Sequence, residues 1–152
     1  MKHFIVFILL VMAVLSVKSQ DKWYKITKND MLIMSAQFIS GAADGLNQAI
    51  AHHKFGKGNQ FWDYKISWQN KYKNGDPSQG EAFFLSTSAF VIFTDGYHST
   101  RAVDRSFTFV SIGLSYAEIR NYKGKVWKVI AKKAVLSAIA NRLTFTIIYN
   151  SL

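Results

Sequence analysis

The chain contains no cysteine. That absence excludes a disulfide framework, thiol chemistry and thiolate metal sites, so its stability has to come from packing or from a bilayer. There is one proline, Pro77. Acidic residues are few, nine against nineteen Lys and Arg, which leaves a formal charge of +10. Several enzyme signatures are missing too. The sequence has no nucleophile elbow, no glycine-rich phosphate loop after a strand and no His-Glu-x-x-His.

What is abundant is apolar. Hydrophobic residues make up 49% of the chain and aromatics 15%, with twelve Phe, seven Tyr and four Trp. The first twenty residues explain part of this. Lys2 precedes an unbroken apolar run from Phe4 to Val17, and Val17-Lys18-Ser19 sets small residues where a signal peptidase cuts. Residues 1–19 therefore read as a signal peptide, the competing reading being a retained anchor. Residues 20–152 then form a single helical domain exported to the cell envelope. Loss of Lys2 and Lys18 lowers the charge to +8. In an exported chain such a surplus suits anionic lipid better than nucleic acid.

Four later segments read as helices. The first starts at Thr27-Lys28-Asn29-Asp30, a capping-box pattern, and stays apolar from Met31 to Ala51. Those 21 residues reach roughly 31 Å at the helical rise, enough to cross a hydrocarbon core. Gly41, Gly45 and Ala49 recur every fourth residue and form a small-residue face for helix packing. A short apolar run, Ala82 to Phe93, follows a second capping pair at Ser78 and Glu81. Asp104 is positioned to cap a third helix from Arg105 to Arg120, and a fourth runs from Val126 to about Tyr149. Phe107 to Ile112 and Thr144 to Tyr149 carry strand-like composition as an alternative.

If all four helices cross a membrane with the mature N-terminus outside, the charges divide unevenly. Lys54, Lys57, Lys65, Lys71, Lys73, Arg120, Lys123, Lys125, Lys128, Lys132 and Lys133 fall inside. Lys22, Lys25, Lys28, Arg101 and Arg105 fall outside, the bias expected of a membrane protein. The fold class expected from sequence is therefore mainly α, a membrane-embedded bundle with one long aromatic-basic loop.

Candidate chemistry is sparse. Asp44 and Asp95 are the ionisable residues inside apolar runs, and each needs a partner or a proton there. Asp44, Gln48 and His52 share a helix face, and His98 follows Asp95 by three. If their helices pack, two carboxylates and two imidazoles form a cluster able to relay protons or act as acid and base. No metal-ligand motif is completed, so no metal or cofactor is expected. In the loop, Trp62, Tyr64, Trp68 and Tyr72 alternate with lysines including Lys71 and Lys73, as an interfacial belt would. The same rings also fit glycan contact or packing back as bundle anchors.

One resemblance is visible. Asn59-Gln60-Phe61-Trp62-Asp63, Ile66-Ser67-Trp68 and Asn70-Lys71-Tyr72-Lys73-Asn74-Gly75-Asp76-Pro77, with Gly41 to Gly45 upstream and Thr94-Asp95-Gly96-Tyr97-His98 downstream, resemble a family of small bacterial envelope proteins. It covers Phe38 to Arg101, and the stretch from His53 to Asn59 is shorter than in that family. The family has no assigned activity. What the resemblance implies is that the loop and the Asp-Gly sites belong to one unit.

The function expected from sequence is a non-enzymatic structural or interaction subunit of an envelope membrane. Its expected partners are the bilayer and, in a homo- or hetero-oligomer, another subunit docked on the face of Gly41, Gly45 and Ala49; nucleic acid is not expected. The alternatives are a small membrane enzyme or proton-handling protein using Asp44, His52, Asp95 and His98, and a soluble polyanion binder.

Overall fold

The computed structural model describes residues 23–53 and 55–152. The expected signal peptide lies outside the described residues. The architecture is mainly helical: α1 (Lys28–His52), the single turn α2 (Tyr64–Ser67), α3 (Gly96–Asn121) and α4 (Val126–Ser151). A long connection of turns and 3-10 segments joins α1 to α3.

α1 begins where its cap chemistry dictates. Thr27 Oγ1 accepts the Asp30 N–H at 3.1 Å, and Asp30 Oδ2 accepts the Thr27 N–H at 2.8 Å. From there α1 packs along both α3 and α4, which meet each other only briefly. α3 runs antiparallel to α1, since Asn29 reaches Glu118 while Asn47 reaches Tyr97. α4 runs parallel to it, with Asp30 beside Lys133 and His53 beside Tyr149. The result is a layer with α1 in the middle.

The inside of this layer is largely polar. Gln37, Ser40, Asn47, Thr100, Ser111, Lys133 and Thr144 are buried, while the buried hydrophobic residues are small in number and mostly alanine, isoleucine and valine. Large apolar side chains lie outside. Trp127, Ile130, Val135, Ile139, Leu143 and Ile147 line the exposed face of α4 at helical spacing, interrupted by the single charge of Arg142. Phe109, Val110, Ile112 and Tyr116 do the same on the last half of α3.

Several expectations need correction. No helix among the described residues is long and apolar enough to cross a membrane. The averages are lowered by the polar residues that line the contacts between helices. Lys132 and Lys133, counted above among the charges on the inner side of a membrane, are instead bound to Asp30 inside the bundle.

Ala82 to Phe93 forms no α-helix, and only Val91–Phe93 makes a 3-10 turn. Leu85 is left-handed (φ 57°), a conformation that costs a non-glycine residue roughly 1–2 kcal/mol. The Glu81 carboxylate holds it there by accepting the N–H groups of Leu85 and Thr87. Ser86 donates to the Lys71 carbonyl, the local hydroxyl chemistry that competes with helix formation. Glu81 and Ser78 therefore form no capping box, and Ser78 instead donates to Asp76.

α3 starts nine residues earlier than its expected start at Arg105, because Asp95 rather than Asp104 caps it. Asp104 sits mid-helix and accepts from Ser40 Oγ at 2.6 Å. The strand alternatives for Phe107 to Ile112 and Thr144 to Tyr149 are helical in the structure.

Candidate functional site

The contacts around α1 are built from hydrogen bonds. Toward α3, Asn29 donates to Glu118 and to the Leu114 carbonyl, Gln37 donates to Ser111, and Asn47 donates to Thr100 and the Tyr97 carbonyl. Toward α4, Asn141 donates to Gln37 Oε1 at 3.2 Å and Ser40 Oγ at 3.1 Å. At one end Asp30 receives Lys132 at 2.5 Å and Lys133 at 3.1 Å, and Lys133 also reaches Glu118 at 2.8 Å. Burial alone would raise the Asp30 pKa. The bonds from Lys132, the Thr27 N–H and Lys133 outweigh it and hold the carboxyl below its ordinary value.

The small-residue face, expected to dock another subunit, is covered by the chain's own α4. A Cβ on Gly41 would fall 2.2 Å from the Asn141 carbonyl oxygen, and one on Gly45 would fall 2.8 Å from the Phe145 carbonyl oxygen. These glycines set the closeness of the parallel pair, and Ala49 is buried one turn further on.

The Asp/His cluster expected from sequence does not assemble as one site. Asp44, Gln48 and His52 line an open cavity of about 470 Å³ with Arg142, Phe145 and Tyr149. Asp95 and His98 line a different one. Among the described residues no group of three or more His, Cys, Asp or Glu is placed to hold a metal. Burial raises the Asp44 pKa and the nearby Asp104 charge adds to it, while Gln48, Arg142 and Arg101 pull the other way.

The second cavity, about 130 Å³, is formed by Tyr64, Ser67, Trp68, Asp95, Tyr97 and His98. That volume suits a single ring or short acyl group, close to the cavity size that admits benzene in an engineered core. Asp95 is buried, caps α3 through the His98 N–H at 2.8 Å, and holds His98 Nδ1 at 2.8 and 2.9 Å. The Asp95 carboxylate can only accept, so Nδ1 carries a proton toward it and Nε2 is the ring nitrogen left free of Asp95. Ser67 is also buried, and among the described residues its Oγ is the buried side-chain polar atom without a hydrogen-bond partner.

The loop is locked to this corner. Gly96 N–H donates to the Phe61 carbonyl, and Asn70 bridges the Gln60 and Thr94 carbonyls. Trp62 packs on Gly96 so closely that a Cβ there would lie 2.3 Å from the ring. Trp62 thus acts as an internal anchor, whereas Tyr64 and Trp68 stay exposed. Lys71 lies over the Tyr72 ring, which meets Trp68 edge-on, and Lys73 is exposed. The loop and the Asp95-Gly96 site form one unit, while Asp44 belongs to the helix pair.

Sequence reasoning missed Ser67, the Asp30–Lys133–Glu118 network and the Gln37–Asn141 contacts. Only the i, i+1 lysines of α4 facing an apolar helix could have signalled the network. Comparison with family models, with curated proteins and with solved structures finds no match to this chain. Fold and site together define a mainly helical protein with polar helix contacts and apolar outer faces.

Proposed function

We propose that this protein is a non-enzymatic, membrane-associated structural or interaction subunit of the cell envelope. The observation that supports it is the inverted distribution of side chains. Polar groups are paired between the helices, while α4, interrupted at Arg142, and the last half of α3 present large apolar side chains outward. Scattered exposed hydrophobic residues are ordinary in a water-soluble protein, but a face repeated over six turns of α4 needs a cover. Mean hydropathy weighs every residue of a helix, whereas lipid or a neighbouring helix meets one face only. Association without a crossing helix therefore agrees with the absence of a spanning segment among the described residues. The basic charge, +10, favours anionic lipid as the surface approached. In cell fractionation the chain is expected in the membrane pellet, and its appearance in the soluble fraction would remove the proposal.

A second reading is favoured by the unpartnered Ser67 hydroxyl beside the Asp95–His98 pair. Ser67 Oγ shares the small cavity with His98 without hydrogen-bonding to it, so the three groups act as nucleophile, base and orienting group only once an occupant brings hydroxyl and imidazole together. On this reading the pocket handles a small acyl group. A fluorophosphonate probe is then expected to label Ser67 in the wild type and to label His98→Ala far more slowly. Absence of labelling in the wild type would eliminate it.

A further inference from the structure

The segment from Phe83 to Phe93 displays its rings instead of packing them. Phe84 is 76% exposed and Phe93 67%, with Phe83 and Phe90 exposed as well. Phe90 links the outer two, its centroid 6.5 Å from Phe84 and 6.2 Å from Phe93. The backbone enforces this display. Glu81 holds Leu85 left-handed and also receives the Thr87 hydroxyl. Ser86 Oγ and the Ala82 N–H both donate to the Lys71 carbonyl. The N–H groups of Ser86, Ser88, Phe90 and Phe93 go to carbonyls within the segment. These amides need no partner strand or helix, and what remains uncovered is ring surface.

We propose that this segment inserts its phenylalanines into an anionic lipid surface. The inference rests on the membrane reading above and names the element that makes contact. Charge favours lipid over a protein partner. Lys71 and Lys73 flank Tyr72, which forms an isolated antiparallel β-bridge with Glu81, and the Lys73 N–H donates to the Gly80 carbonyl. Lys57, Lys65, Lys71 and Lys73 form no ion pair among the described residues. The acids of the loop are held mainly by local donors: Asp63 by the Gly58 and Lys65 N–H groups, with the Lys65 and Lys57 charges a weaker influence, Asp76 by Ser78, and Glu81 by Thr87. Bare phenyl rings, exposed Tyr64 and Trp68, and ammonium heads outside any salt bridge occur together in one loop, the residue types that meet a lipid interface.

The lack of native cysteine makes the test direct. Phe84→Cys, Phe93→Cys and, as an exposed control, Gln60→Cys each receive an environment-sensitive fluorophore on the full chain. They are then mixed with vesicles of phosphatidylcholine and phosphatidylglycerol. The probes at 84 and 93 are expected to shift to the blue and to be quenched by lipids carrying a nitroxide on the acyl chain, while the probe at 60 is not. The double variant Phe84→Ser/Phe93→Ser is expected to bind these vesicles on the order of a hundredfold more weakly, about tenfold for each ring withdrawn from lipid.

A chain that floats with the vesicles while its 84 and 93 probes stay open to aqueous iodide overturns insertion and leaves the membrane reading standing. A wild-type chain that does not float overturns both. A blue shift that needs no vesicles and grows with protein concentration assigns the rings to a second copy, and overturns the lipid proposal.

Discussion

Gly41→Leu is expected to push α1 and α4 apart and to destabilise the fold by roughly 3–5 kcal/mol, combining overpacking with two lost hydrogen bonds. A Cβ at this position would already stand 2.2 Å from the Asn141 carbonyl oxygen and 2.9 Å from its Cα. Both are backbone atoms in the middle of a helix, so a rotamer change cannot relieve the contact. If α4 retreats, the Asn141 bonds to Gln37 and Ser40 stretch together. Gly41→Ala should show a smaller effect of the same sign. Denaturant or thermal unfolding followed by circular dichroism measures the change. An unchanged midpoint in Gly41→Leu would show that the two helices do not rely on this approach.

Asp30→Ala is expected to cost about as much, roughly 3–5 kcal/mol, because it removes one partner of a buried ion network. Lys133 is 3% exposed and would keep only Glu118. The same carboxylate would also cease to cap α1, since it accepts the Thr27 N–H. Asp30 further sets a pH dependence. Its folded pKa is lowered below the ordinary 3.8, so it binds a proton less readily folded than unfolded. Its contribution is therefore complete above that value and is lost as pH falls toward the folded pKa. Wild-type stability should drop across this acid window more steeply than that of Asp30→Ala. Parallel acid titrations of the two proteins would settle the assignment to Asp30.

The parts of the fold governed by local rules were readable in the residues. Thr27 and Asp30 announce the start of α1, and the apolar length of Val126 onward announces α4. Ala82 to Phe93 was misread because apolar composition resembles a helix until the bonds of Glu81 are known. Those bonds reach four to six residues ahead, and they fix Leu85 in a conformation that no propensity favours. The start of α3 was misread for a similar reason. Asp95 and Asp104 are both able to cap, and only the packing of Ser40 against Asp104 removes the second from the competition.

The candidate site was partly visible for the same physical reason. Asp95 and His98 stand three apart on one turn, so their pairing is local and legible. Ser67 enters their pocket from another element, through contacts of Asn70 and Trp62 that sequence spacing does not encode. Averaged apolarity also hid which face of each helix carries its polar residues. Gln37, Ser40 and Asn141 lie within segments whose average composition is apolar, and they are the groups that join the helices.

The measurement that bears most directly on this account is an alkaline carbonate wash of membranes from cells making the full chain, with the mass of the retained protein determined. The account predicts that the protein stays in the washed pellet, held by apolar contact that loss of ionic attraction does not undo. Release of a monodisperse, folded chain into the wash would contradict it, because the outer faces of α3 and α4 would then tolerate water without a cover.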